Sequence, residues 1–445
     1  MSKQLDFTKG NIFKQIIIFS GPIMLTNLLQ TSFQLVDSLW IGNLLGADAL
    51  GAVAVSSAII FTMLSFVIGI NNATLTILSQ QIGRKDEEGL KRFLNAFVVV
   101  LTTLAVTFTI AGYFLSEKML RLLGTPEEIL PLANSYLKIT FIGILFLFGY
   151  NFISTVLRAI GDSKSPMRFV LIAVILNIFL DPLFIAGFDL GIKGAAIATI
   201  VSQGAAFIYG MYYILRNKLV PFQIPYLPKF KEVKLILHLG IPAGLQMSVI
   251  SAGSAAIMSV VTSFGSAVVG GFAAAQRIDS LVMLPAHALG TAVNSMAGQN
   301  IGKQNWNRVH QIAKYGLLYN FAVMAIIGFF VFIFAEQAVK LFIQEKEAVI
   351  FATKYIRIMV FCFPLLGINF VLNGIVRASG AMYQVLMLNI ISFWLLRYPL
   401  TYLFGNLIGE IGIAVGHGVS FFISSLLAIG YYVFGKWKEK KLFGT

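Results

Sequence analysis

The chain has 445 residues, 58% of them hydrophobic and only 12% charged, with a mean hydropathy of +0.83. Soluble domains carry about a quarter charged residues, so this composition excludes an ordinary soluble domain and describes a polytopic membrane protein. The net charge of +14 does not point to nucleic acid, because the basic residues sit in short loops between apolar runs, where positive-inside topology accounts for them.

In chain order, MSKQLDFTKGNIFKQ leads into an apolar run too long for a signal peptide, with no small-residue cleavage site, so no cleavage is expected. Apolar runs follow at about 14–41, 49–79, 93–115, 129–157, 168–187 and 192–215, then at about 235–263, 269–298, 314–335, 349–376, 385–406 and 411–434. Each is long enough to span a bilayer as a helix. The first contains SGPIMLTNLLQTSFQLVDSLWI, Ser20 to Ile41. Pro22 lacks a backbone N–H, so the carbonyl of Ile18 loses its helical partner and the helix bends more easily there, a candidate hinge. Asp37 is a carboxylate in an apolar run, at a cost of about 3 kcal/mol on insertion scales. Two readings stand: a proton-sensitive moving part, or an acid near the helix end that reaches headgroups or water.

Lys and Arg set the orientation. With the N-terminus inside, the inner segments gather Lys3, Lys9 and Lys14, then Arg84, Lys85, Lys91 and Arg92, then Arg158, Lys164 and Arg168. The middle segment adds Arg216, Lys218, Lys229, Lys231 and Lys234, and later ones Lys303, Arg308, Lys314, Arg377 and the Lys436–Lys441 tail. Outer loops hold fewer, chiefly Lys118, Arg121, Lys193, Lys340 and Lys346. Both termini are therefore expected in the cytoplasm, on a multi-pass protein of the cell membrane.

The segment 216–234, RNKLVPFQIPYLPKFKEVK, is the longest polar break, and Pro221, Pro225 and Pro228 disfavour helix through it. It reads as a linker between an N-terminal lobe, residues 1–215, and a C-terminal lobe, residues 235–445. The lobes repeat. At an offset of 219, Gly46 matches Gly265, Gly51 matches Gly270, Gln80-x-Ile82-Gly83 matches Gln299-x-Ile301-Gly302, and Arg158-Ala159-x-Gly161 matches Arg377-Ala378-x-Gly380. Gly191, Gly194 and Ala196 match Gly409, Gly412 and Ala414 at 218, and Pro22 matches Pro242 at 220. Six spans per half is even, so both halves enter from the same side. The expected fold is all-α: twelve transmembrane helices in two six-helix bundles, related by a pseudo-two-fold axis along the membrane normal, with a cavity between them.

Acids within the spans are few: Asp37, Asp181 and Asp279. LNIFLDPLFI puts Asn177 and Asp181 four residues apart, on one helical face, with Pro182 freeing the carbonyl of Ile178. The same face also fits a polar packing seam. Gln34 lies one turn before Asp37, and Asn151 and Thr199 are candidates to complete a polar chamber in the N-terminal lobe. The second half has no acid at the counterparts of Asp37 and Asp181, which are Ala256 or Ile257 and residues near Tyr398. In AAAQRIDSL, Arg277 and Asp279 point in different directions, so each is expected to pair with another helix, through Arg397, as a structural ion pair. The single cysteine, Cys362, excludes an intrachain disulfide, and His238, His287, His310 and His417 show no metal-ligand spacing, so no metal site is expected. No phosphate-binding Gly-Lys-Ser/Thr loop, nucleophile elbow or HExxH occurs, which argues against an enzyme and for energy drawn from an ion gradient.

Twelve spans as six plus six, Pro22 fifteen residues before Asp37, LNIFLDPLFI, the loops SQQIGRKDEEGLKR and RAIGDSKSPMR, and their echoes GQNIGKQNWNR and RASGAMYQ together resemble the multidrug and toxic compound extrusion (MATE) transporters. The resemblance covers nearly the whole chain. The acids of the N-terminal lobe resemble the DinF-like branch, in which the acid matching Asp37 is the protonation site and the Asn and Asp matching Asn177 and Asp181 share its chamber. The NorM-like branch uses acids on helices seven and ten. Here those spans read GLQMSVISAGSAAIMSVV and GINFVLNGIVRASG, which argues against Na⁺ coupling through the C-terminal lobe.

The resemblance implies a monomeric antiporter that works by alternating access, without a cofactor. It would export cationic amphipathic compounds in exchange for H⁺, with Na⁺ as the alternative coupling ion. An apolar chamber disfavours a carboxylate's charge, so a proton is held there until a cationic compound competes for the site. The rival readings are a flippase for lipid-linked saccharides, which would want a cavity lined with Lys and Arg, a membrane-embedded enzyme, and a passive channel.

Overall fold

The computed structural model describes residues 4–443. Lys3, counted above among the inner basic residues, lies outside the described residues. Regular structure among the described residues is helical throughout.

Packing divides the chain into two units. The first holds Leu25–Ile241 together with Gln4 and Leu5; the second holds Asp6–Met24 and the described residues from Pro242 onward. Helix α1 (Ile12–Leu45) therefore begins in the second unit and ends in the first. The first unit continues with α2 (Ala47–Arg84), α3 (Glu87–Leu122), α4 (Leu130–Ile142), α5 (Ile144–Ala159), α6 (Lys164–Pro182) and α7 (Ile192–Arg216). Helix α8 (Phe230–Thr262) crosses in the opposite sense, at Ile241/Pro242. The second unit then holds α9 (Ser266–Val282), α10 (Leu284–Gly302), α11 (Trp306–Ile333), α12 (Ala335–Lys340), α13 (Lys346–Met359) and α14 (Phe363–Ala378). It ends with α15 (Met382–Ile390), α16 (Tyr398–Ile408) and α17 (Gly412–Phe434). The packing boundaries thus fall beside Pro22 and Pro242, and the 216–234 segment lies within the first unit.

Among the described residues, nine continuous helical stretches are long and apolar enough to cross a membrane. Two further spans are broken helices: α4 and α5 meet at 50°, α13 and α14 at 54°. The longest stretch, Met382–Phe434, counts as two spans, because Gly409 takes a left-handed φ of 73° and α16 packs back against α17. That gives the expected twelve.

The repeat is written into the backbone. Left-handed φ recurs at Gly46 and Gly265, Lys85 and Gln304, Gly161 and Gly380, and Gly191 and Gly409. The loops SQQIGRKDEE and GQNIGKQNWN are the same device. A left-handed residue ends one helix and the next polar residue caps the following one: Asp86 accepts from Gly89 N–H at 2.8 Å, Asn305 from Arg308 N–H at 3.3 Å.

The segment before α1 is held within the second unit. Phe7 N–H donates to Gln299 Oε1 at 3.2 Å, and Phe7 O accepts from Asn300 Nδ2 at 3.0 Å and Arg308 Nε at 2.7 Å. Arg308 Nη2 also donates to Lys9 O and Gln15 Oε1.

Within the first unit, Asn95 on α3 pins the proline-rich segment as a peptide group would. Its Nδ2 donates to Tyr226 O and its Oδ1 accepts from Tyr226 N–H, both at 2.9 Å. Asn95→Ala leaves both backbone groups unmatched and is expected to destabilise by about 1–3 kcal/mol. A lowered melting temperature with faster protease cutting between Val220 and Lys229 is the expected result; unchanged cutting would show that the segment is held by other means.

Candidate functional site

Three sequence candidates meet in the first unit. Asp37 on α1 is 8% exposed, and Asn177 and Asp181 on α6 are fully buried. The four-residue spacing does what it predicts: Asn177 Nδ2 donates to Asp181 Oδ1 at 2.8 Å. The carboxyl groups of Asp37 and Asp181 lie within hydrogen-bond reach of each other. Asp37 Oδ1, Asp181 Oδ2 and Asn177 Oδ1 are buried without a hydrogen-bond partner. Ionised carboxylates only accept, so a hydrogen bond between these two requires one proton shared by the pair.

The chain shapes this site at the end of α6. Pro182 has no N–H to offer the carbonyl of Ile178, and the helix widens at once into a π-helical turn, Leu183–Gly187, with Phe188 N–H bonded to Leu183 O at 2.8 Å. Asp181 thus sits where the regular ladder stops.

The remaining candidates stand outside this hydrogen-bonded group. Gln34 is exposed, and its carbonyl accepts from Ser38 Oγ. Asn151 is half-buried and its Nδ2 donates back to Leu147 O at 2.8 Å. Thr199 Oγ1 is buried without a partner. Pro22 lies inside an unbroken α1. Sequence reasoning missed two residues. Tyr136 on α4 lies in the field of both carboxyls, and Gln30 on α1 lies close to Tyr150 on α5. Gln30 is seven residues before Asp37, two turns along the same face, so the spacing did hold that signal.

In the second unit the expected ion pair does not form. Arg277 and Asp279 point apart as predicted, but Arg277 is exposed and lies over the ring of Phe342 at 5.8 Å. The Arg397 guanidinium lies against Phe393 at 3.8 Å and Phe421 at 4.4 Å, and no ion pair joins it to Asp279 among the described residues. Stacking between rings takes the place of a carboxylate partner.

The MatE family model matches the chain twice, over residues 22–183 and 242–403. The chain belongs to the MatE family. Its two matched copies open on Pro22 and Pro242, and the first contains Asp37, Asn177 and Asp181. Among MatE-family relatives, the probable multidrug resistance protein YpnP of Bacillus subtilis is 60% identical over 441 residues, 99% of each chain. The probable multidrug resistance protein YoeA of the same organism is 31% identical over 98% of this chain and 96% of its own. The MatE fold is likewise that of an outward-facing multidrug resistance MATE transporter of the MOP superfamily, with a TM-score of 0.92 at 23% identity over 99% of both chains. A MOP superfamily transporter from Pyrococcus furiosus superposes with a TM-score of 0.89 at 23% identity over all of both chains. The chain is a multi-pass membrane protein of this fold, in two repeated halves.

Proposed function

We propose that this protein is a multidrug efflux transporter, a proton-coupled antiporter that exports cationic amphipathic compounds by alternating access. The observation that carries the reading is the Asp37–Asp181 pair, two buried acids within reach of one proton. An organic cation entering the chamber stabilises both carboxylates and displaces that proton; a returning proton restores the pair and releases the cation. Binding of proton and drug is thereby mutually exclusive, which is the condition for exchange. The relatives named as probable multidrug resistance proteins support the substrate class. Basic residues crowding the segments at 84–92, 158–168, 216–234 and 303–314 support cytoplasmic termini in the cell membrane.

The test is uptake of a fluorescent organic cation into inverted vesicles, with an acid-inside pH gradient or a Na⁺ gradient imposed separately. Uptake is expected under the pH gradient alone; uptake under the Na⁺ gradient alone would replace proton with sodium coupling.

Pro22 belongs to the same reading as a hinge. Pro22→Ala restores the N–H and stiffens α1, and is expected to slow turnover several-fold while leaving cation binding intact. Turnover at the wild-type rate would remove the hinge from the mechanism.

A further inference from the structure

The second unit buries a polar cluster that the transport reading leaves without a role. Asp279 on α9, Tyr355 on α13, Arg397 in the π-helical turn Ile391–Arg397 and His417 on α17 come from four stretches and meet in one place. Tyr355 Oη lies 3.0 Å from His417 Nδ1 and 3.5 Å from Asp279 Oδ2. Phe272 closes over both rings, edge-on to Tyr355 and stacked on His417. Arg397, 7% exposed, is near enough for its charge to act on Asp279. Even so, Asp279 Oδ1 and Arg397 Nε and Nη2 are buried without a hydrogen-bond partner. A structural salt bridge would have used those atoms.

The geometry has a switch in it. Tyr355 has one hydroxyl proton and an acceptor on either side. With Asp279 ionised, Tyr355 donates to Asp279 Oδ2, and His417 donates from Nδ1 to Tyr355 Oη. A proton arriving at His417 Nε2 sends the Nδ1 proton to Tyr355 Oη and the Tyr355 proton to Asp279. Each bond hands on one proton, His417 ends neutral with its proton on Nε2, and Asp279 ends neutral. The cluster's charge rises by one, since Arg397 stays a cation.

We propose that Asp279, Tyr355 and His417 form a second proton-binding site, loaded through His417 and held on Asp279, with Arg397 as the countercharge of the unloaded state.

Other charged groups near these helices face elsewhere. Arg277 on α9 lies over Phe342. Lys354 and Arg357 on α13 are exposed. Glu336 and Lys340 on α12 pair with each other. His287 on α10 packs on Phe370. The Cys362 thiol, between α13 and α14, donates to Ile358 O at 3.8 Å.

The test reads protonated aspartic acid directly, as the carboxyl C=O stretch in pH-difference infrared spectra of the whole purified protein carrying ¹³C-labelled aspartate. Between about pH 6 and 9 exposed aspartates are ionised, so only perturbed ones contribute. The Asp37→Asn/Asp181→Asn protein is expected to keep one band that titrates in this range. Adding Asp279→Asn should remove it, and adding Tyr355→Phe should shift its frequency. A band that never appears or never titrates in the Asp37→Asn/Asp181→Asn protein, or that survives Asp279→Asn, would overturn the proposal. If the Asp279→Asn protein cannot be purified, the Tyr355→Phe form decides, and an unshifted band overturns the proposal. Either failure leaves the reading of Asp37 and Asp181 untouched.

Discussion

Replacing Asp37 with Asn is expected to reduce proton-driven uptake of a fluorescent cation into inverted vesicles to the level of vesicles without the protein. Binding of the same cation should weaken by about ten- to a hundredfold, the worth of one hydrogen bond to a charged group. Asn keeps the shape of the side chain and removes its titration. It also changes the bookkeeping at Asp181. In the proposed mechanism one proton serves two carboxyls, whereas an amide at position 37 would donate its own N–H to Asp181 and satisfy it without any proton from solution. The site then holds one carboxylate whose hydrogen bonding no longer depends on pH, and cation binding is uncoupled from proton release. Asp181→Asn should uncouple for the same reason, seen from α6, with Asn177 losing its charged acceptor as well. Wild-type transport by Asp37→Asn under a pH gradient would sink the assignment of the pair as the coupling site.

The largest expected effect on folding comes from one methyl group. Gly412 opens α17 where it passes the end of α16, and a Cβ there would overlap the backbone carbonyl of Phe404 and lie 2.6 Å from Gly405 N. Its repeat partner Gly194 meets the backbone of Phe184 and Ile185 in the same way, at 2.6–2.9 Å. Backbone atoms cannot rotate aside as a side chain does, so the two elements must separate. Gly412→Ala is expected to cost at least about 1–3 kcal/mol, seen as a lower melting temperature and a lower yield of monodisperse protein. Gly430 provides the control on the same helix. Nothing lies within 4 Å of its added Cβ, so Gly430→Ala should be neutral or stabilise by up to about 1 kcal/mol. Equal melting temperatures for the two variants would show that α16 and α17 do not pack as closely as described.

The spans were legible because bilayer thickness dictates their length, and the repeat because turns need particular residues: Gly46 and Gly265, or Asp86 and Asn305, do the same backbone work in each half. The Asn177–Asp181 contact followed from helical periodicity alone. Hydropathy carries no angles, so 129–157 read as one run where α4 and α5 meet at 50°. It also ranks residues by polarity and not by face, which favoured Gln34 over Gln30. Of the cluster at Tyr355, the sequence linked only Asp279 and Arg397; Tyr355 and His417 lie on other helices, and each alone looks like an isolated polar residue in a core. Nor does any local pattern announce that Asp6–Met24 packs with residues beyond Pro242.

That last arrangement has a consequence for how the chain is made. Phe7 is synthesised well ahead of its partners: Gln299 lies 292 positions downstream and Arg308 lies 301. At about 5–20 residues per second, the N-terminal peptide waits roughly 15–60 s for the groups that bind it. Throughout that interval the carbonyl of Phe7 lacks both donors that hold it in the folded unit, Asn300 Nδ2 and Arg308 Nε. The second unit is therefore closed by a peptide made long before the rest of it, and a chain released before Arg308 keeps an unclosed end that proteases can reach.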